Sequence, residues 1–237
     1  MRLALDIGNT AVKWATFSGT TLVESGVWTP GEDMAAKWSA VEQALLCASG
    51  ADTAAEALLA GAGFRAATLS ADTPLPIKLD YKTPATLGAD RVADACGAWS
   101  LHRGEACLVI DAGTCITVDF IDGNGVYHGG AIMPGLKMNV QALHTFTAKL
   151  PLVDIDNVKR APVLGRSTEE SILAGTLGAS MLALAGYVAL YREKAPALHV
   201  LLTGGDAGRL ADAGATGWEY VPHLTLVGLN EIMMTSR

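Results

Sequence analysis

The sequence predicts an α/β protein of two lobes related by an internal duplication, and three observations carry that prediction. An apolar strand ending in Asp-x-Gly and leading into a second strand occurs twice, at Asp6-Ile7-Gly8 and at Asp111-Ala112-Gly113. Each copy runs on into a third strand-like segment, so each half opens as a three-stranded antiparallel meander. Beyond each meander, helix-period and strand-period segments alternate. The 237 residues suffice for two lobes of about 100 residues each. Hydrophobicity breaks at HRGE (102–105), which places the lobes at 1–105 and 106–237.

In order, LALDIGNTAVKWATF reads as strand, polar turn and strand; Ser18-Gly19-Thr20 turns the chain into a third strand, TLVESGVW. The spacing Met34, Trp38, Val41, Leu45 predicts a helix over 34–47, and the apolar run Ala57 to Ala60 a short buried strand. After IKLDY comes a helix from Leu87 to Leu101, with Val92, Cys96 and Trp99 available for burial. The second copy starts at Ala106 with CLVIDAGTCITVDFID; Asp122-Gly123-Asn124-Gly125 is a hairpin turn and VYHGGAIM the third strand. A helix over Leu136 to Thr145, a loop holding Pro151 and Pro162, a long helix through 172–191, the strand-to-turn segment HVLLTGGDAG and a C-terminal helix complete the chain.

Composition excludes several function classes. A net charge of −7 without a Lys/Arg cluster argues against a nucleic-acid partner. It leaves a nucleotide possible, held by backbone N–H groups, a few cations and a metal ion. The four cysteines (Cys47, Cys96, Cys107, Cys115) form no CxxC pair and the five histidines no metal-like spacing with them, which reads as free thiols in a reducing cytoplasm. Asp6 interrupts the first apolar run too early for a signal peptide. Ile172 to Tyr191 carries no charge and has the length to cross a bilayer, but its Ala, Gly, Ser and Thr content suits a helix packed in a core or at a subunit interface, and no membrane span is expected.

The repeated Asp-x-Gly turns carry the chemistry. Glycine lets backbone approach a ligand, through φ values other residues resist; Asn9, Thr10 and Thr114 can donate to phosphate oxygens, and Asp6 and Asp111 can hold a cation or its water shell. One such loop is an ordinary turn; two at matching places form the jaws of a phosphate clamp. There is no GxxxxGK[ST], and the loose G-x-G-x-x-A at 61–66 lies too far inside its lobe, with Asp72 and Asp80 poorly placed, to be a dinucleotide fingerprint.

DIGNT (6–10) and DAGT (111–114), with TGGD (203–206) placed like an adenosine loop, resemble the phosphate and adenosine motifs of the acetate kinase, sugar kinase and actin superfamily. That implies two ribonuclease H-like lobes, each a mixed five-stranded sheet flanked by helices. Along nearly the whole chain the sequence is similar to type III pantothenate kinases. The resemblance rests on Lys13 after DIGNT, Tyr81 with TPATLGADR (83–91), DAGTCITVD (111–119), GGAIMPG (129–135), TAKLP (147–151), GRSTEESILAG (165–175) and VGLNEI (227–232). Cys115 departs from the pattern, standing where a small apolar residue is expected.

The resemblance implies ATP-dependent phosphorylation of pantothenate to 4'-phosphopantothenate, the first step of coenzyme A biosynthesis. Asp90 would be the general base; from its position alone it reads rather as a carboxylate capping the N-terminus of the following helix. Tyr81, Gly88, Ala89, Asp90 and Arg91 would bind pantothenate, Arg91 through the carboxylate. Thr168 would contribute from the neighbouring subunit of a homodimer, although Ser167 or Thr168 is also a helix-start residue. Asp6, Ile7, Gly8, Asn9, Thr10, Ala11, Val12, Lys13 and Thr114 would bind ATP with Mg2+, Lys13 being alternatively a solvated strand-edge lysine. Asp111 would ligate a monovalent cation, K+ or NH4+. A kinase for another small acceptor, or a nucleotide-binding regulator on the same fold, shares the jaws but not the need for Tyr81, Asp90 and Thr168 together.

Overall fold

The computed structural model describes residues 1–48, 58–59, 61–63, 65–158 and 160–235. Two compact units result: the first is Met1–Gly104 with Ile121–His128 and His223–Arg237, the second Glu105–Phe120 with Gly129–Pro222.

In the first unit, β1 (Arg2–Ile7) buries Leu3, Ala4, Leu5 and Ile7 and sits in the middle of a sheet of order β3-β2-β1-β4-β5. β2 (Val12–Ser18) runs antiparallel to it and β3 (Thr21–Trp28) antiparallel to β2, as the meander requires; β4 (Gln43–Ala48) and then β5 (Ala67–Thr68) continue in parallel. The helix expected over 34–47 does not form. Trp38 N–H donates to the Met34 carbonyl at 3.0 Å, so one turn closes and buries both side chains, but β4 follows. Ala44, Leu45, Leu46 and Cys47 are all buried, and a strand covered on both faces reads as a continuous apolar run, which a helical template matches equally well. Of the run expected as a strand at 57–60, Ala57 and Ala60 lie outside the described residues, and Leu58 and Leu59 between them are helical.

The first unit continues with β6 (Lys78–Leu79), a 3-10 turn (Pro84–Thr86) and helix α1 (Ala89–Leu101). The boundary at 105 predicted from chain order needs a correction, because the last helix (Leu224–Thr235) belongs with the first unit. Glycines allow it: a Cβ on Gly228 would lie 1.7 Å from the Ala93 carbonyl oxygen, and one on Gly97 2.6 Å from that of Leu224. Thr225 Oγ1 donates to the buried Asp94 at 2.8 Å, and Arg2 Nε to Asn230 at 2.8 Å, so polar groups buried in this packing are paired.

The second unit repeats the plan. β7 (Cys107–Ala112), β8 (Cys115–Ile121), β9 (Val126–Pro134), β10 (His199–Thr203) and β11 (Glu219–Tyr220) stand in the order β9-β8-β7-β10-β11, with β10 parallel to both β7 and β11. This sheet has six strands rather than five, because the start of β9, within the first unit, pairs with β6 at Val126 and Tyr127. Helix α2 (Leu136–Thr145) follows β9. The long helix runs unbroken through Thr168–Lys194 as α3 (Thr168–Leu173), a π turn (Ala174–Gly178) and α4 (Ala179–Lys194); by length and composition it is apolar enough to cross a membrane. Ile172, Leu177, Leu184 and Val188 pack into the core while Leu182 and Leu190 are exposed. Helix α5 (Ala207–Asp212) follows β10, and α6 (Leu224–Thr235) closes the chain.

Candidate active site

In the first unit the turn between β1 and β2 is closed by Gly8 N–H donating to Ala11 O at 3.0 Å, with Asn9 and Thr10 exposed at its tip. Asp6 and Lys13 are opposed across the strand pair, as are Ile7 and Val12, whose side chains are buried in the core and leave only backbone for a ligand. Neither Gly8 nor Gly113 has a positive φ, against expectation. A Cβ on Gly8 would meet Ala11 O at 3.4 Å, so glycine here keeps the turn bare rather than permitting a left-handed backbone.

Asp6 is also opposite Cys47 of β4, whose thiol donates to Asp6 Oδ1 at 3.5 Å. Burial pushes the Asp6 carboxyl above its ordinary value; Lys13 and the Cys47 thiol pull it down, and the negative charge of Asp90 adds to the rise. The structure therefore brings Asp6, Lys13 and Asp90 within electrostatic reach inside one unit. Cys47 was not foreseen, since its place beside Asp6 depends on the parallel β1–β4 pairing that the helical reading of 34–47 hid.

Asp90 lies in the first turn of α1, and its Oδ1 accepts from Arg91 N–H at 2.8 Å. The helix begins at Gly88, where no side chain caps it; a Cβ there would lie 2.5 Å from Asp90 Oδ1 and displace the carboxylate. Ala89 is half-buried beside it, and Arg91 is only 6% exposed, a cation fixed by its surroundings. Tyr81 is half-buried, its ring 5.9 Å from that of the fully buried Tyr127 and tilted by 50°.

In the second unit Asp111, one residue before the end of β7, is opposite Thr203 of β10. Gly204, at φ 95°, lies so close that a Cβ would be 2.3 Å from Asp111 Oδ1, and Asp206 N–H donates to Ala112 O at 2.9 Å. The TGGD and DAGT loops thus pack backbone to backbone. Gly135 N–H donates to Thr114 O at 3.1 Å, and a Cβ on Gly135 would lie 2.3 Å from that oxygen, so the start of α2 holds the Thr114 turn from the other side. Thr114 itself is exposed. Ser167, not Thr168, caps α3, accepting from Glu170 N–H at 3.1 Å. Thr168 is then the first helical residue, exposed on a pocket of about 700 Å³ shared with Leu143, Leu150, Gly165 and Arg166.

A duplicated β-meander with an Asp-x-Gly turn at the same place in both copies defines the class by its fold: an actin-like α/β protein. Solved structures show the same fold. A protein described as a Baf family transcriptional activator from Campylobacter jejuni aligns with a TM-score of 0.60 at 20% identity over 98% of both chains. One described as a 2-dehydro-3-deoxygalactonokinase from Sinorhizobium meliloti aligns with a TM-score of 0.54 at 13% identity over 100% and 98%. The family model for type III pantothenate kinase matches residues 2–190, and the type III pantothenate kinase of Cytophaga hutchinsonii is 35% identical over 98% of each chain. The chain belongs to the type III pantothenate kinase family. It is a transferase acting on ATP and pantothenate, at the entry to coenzyme A biosynthesis.

Proposed function

We propose that this chain moves the γ-phosphoryl group of ATP to the primary hydroxyl of pantothenate with Asp90 as general base. The observation that carries this reading is the placement of the Asp90 carboxylate over a bare Gly88, at a helix start and within electrostatic reach of Asp6. Asp90 accepts the hydroxyl proton as the oxygen attacks; a positioned base contributes about 10²–10⁴-fold. Charge stabilisation and alignment supply the rest. Lys13 and the turn at Gly8 to Ala11 engage phosphate in one unit, and Thr114 does so in the other. Tyr81, Gly88, Ala89 and Arg91 bind pantothenate, Arg91 through the substrate carboxylate.

Asp6 and Asp111 offer hard oxygen donors at strand ends, which suit Mg2+ carried on ATP and, at Asp111, K+ or NH4+. Such cations supply charge neutralisation for the phosphates when bound. The protein acts in the cytoplasm as a homodimer, with Thr168 completing the neighbour's pantothenate site and the exposed side of α4 at the interface. The test is pantothenate-dependent ADP release in K+ or Na+, for the native chain and Asp90→Asn. The reading expects turnover that needs K+ and falls at least a hundredfold in D90N. Full turnover in D90N removes the base, and absent turnover with retained ATP binding removes the acceptor.

A further inference from the structure

The end of the β8–β9 hairpin is built as an anchor. Asp122 Oδ1 accepts from the N–H groups of Asn124 and Val126, both at 2.9 Å, which fixes the turn. Gly125, at φ 73°, lies against Trp99 of α1, where a Cβ would come within 3.1 Å of the indole. The strand leaving the turn takes up β6: Leu79 is opposite Tyr127, and Asp80 N–H donates to Tyr127 O at 2.9 Å. Tyr127 carries the Tyr81 ring. His128 then spans the two sides of this assembly. Its Nε2 is 3.1 Å from Asp122 Oδ2, and its Nδ1 is 3.3 Å from Asp80 Oδ2, one residue before Tyr81.

A neutral imidazole donates from one nitrogen only, so it satisfies one carboxylate and turns a lone pair on the other. The cation donates from both and is attracted by both charges. Among the charged groups that meet the ring are Asp80, just after β6, and Asp122, in the turn. Burial raises the Asp122 carboxyl, but the Val126 N–H, the His128 ring and Asn124 outweigh it and hold the group below its ordinary value.

We propose that His128 is a positioning residue for pantothenate binding: through its two ring nitrogens it ties Asp80 to Asp122 and so holds Tyr81 in its place on Tyr127. The proposal rests on Tyr81 being a pantothenate contact. A bridge of partly exposed ion pairs has a modest effect, and its loss loosens the substrate tyrosine without touching the phosphate turns.

The test measures initial rates of the full chain with pantothenate varied at saturating ATP, and with ATP varied at saturating pantothenate. The proteins are the native chain, His128→Ala, His128→Arg, Tyr81→Ala and the H128A/Y81A double variant. In H128A the KM for pantothenate rises roughly threefold to tenfold while that for ATP holds. H128R, a cation at every pH, restores the low KM. In the Y81A background H128A adds nothing, because its effect passes through Tyr81. An unchanged KM for pantothenate in H128A, a full additional loss on top of Y81A, or failure of H128R to restore binding each overturns the proposal. If Y81A alone leaves the KM unchanged, the Tyr81 reading has failed instead and takes this one with it.

Discussion

Asp6 is a carboxylate under opposed influences: burial drives it toward the neutral acid, while Lys13 and the Cys47 thiol favour its charge. Only the ionised form can face a cation carried on phosphate. In the proposed role, activity with ATP falls in acid as Asp6 takes up its proton, at a pH above that group's ordinary value. Replacing Lys13 by Ala removes the largest influence that lowers the Asp6 carboxyl, so its pKa rises further and the acid limb of kcat/KM for ATP moves to higher pH. The midpoint of that limb is the readout, since losing Lys13 in its proposed role on the phosphates lowers kcat/KM at every pH. An unmoved midpoint in K13A would mean that another group titrates. The Asp6 and Lys13 types were legible in the sequence, because Asp-x-Gly recurs and a cation follows. The neighbours that tune them were not: Cys47 and Asp90 reach Asp6 through sheet pairing and helix placement, which no local spacing encodes.

Elements whose burial follows a single face were read from their periodicity. The helix over Leu136–Thr145 and the strands on either side of each Asp-x-Gly turn form as the pattern indicates. The segment 34–47 defeats the same rule because four consecutive buried residues in β4 carry no period, and because Met34 and Trp38 do share one helical turn. The α1–α6 crossing was equally hidden, since the glycines that permit it, Gly97 and Gly228, are far apart in sequence and each reads alone as a weak spot in a helix. Their role gives a contrast. Gly228→Ala pushes a methyl to 1.7 Å from the Ala93 carbonyl oxygen and should destabilise the protein by about 3 kcal/mol or more, as the helices must separate. Gly208→Ala, in α5 with nothing within 4 Å of the new methyl, gains helix propensity and should leave stability within about 1 kcal/mol of the native value. Thermal unfolding of the two variants checks this, and equal melting temperatures would remove the close-crossing argument.

For the whole molecule, the duplication was legible because its mark, a strand ending in Asp-x-Gly, is local and appears twice. Chain order could not reveal that the C-terminal helix returns to the first unit, a choice made by its packing on α1. The long helix poses the remaining question at this scale. A core helix buries most of its surface, yet only 33% of its most apolar window is buried. Leu182, Gly186, Ala189 and Leu190 are all exposed, at i, i+4, i+7 and i+8, which makes one stripe with small residues where a second helix can come close. A stripe of this kind suits a second copy of the chain, and in the dimer proposed above it would bring Thr168 of one subunit to its neighbour. Leu182→Glu with Leu190→Glu places two carboxylates on the stripe without disturbing the core, since Leu182 is 75% and Leu190 58% exposed. The variant should sediment as a folded monomer, keep ATP binding and lose pantothenate-dependent turnover, because each site then lacks the partner's threonine. A native chain that sediments as a fully active monomer overturns the dimer, and native protein that floats with lipid vesicles while the Glu variant does not assigns the stripe to a membrane instead.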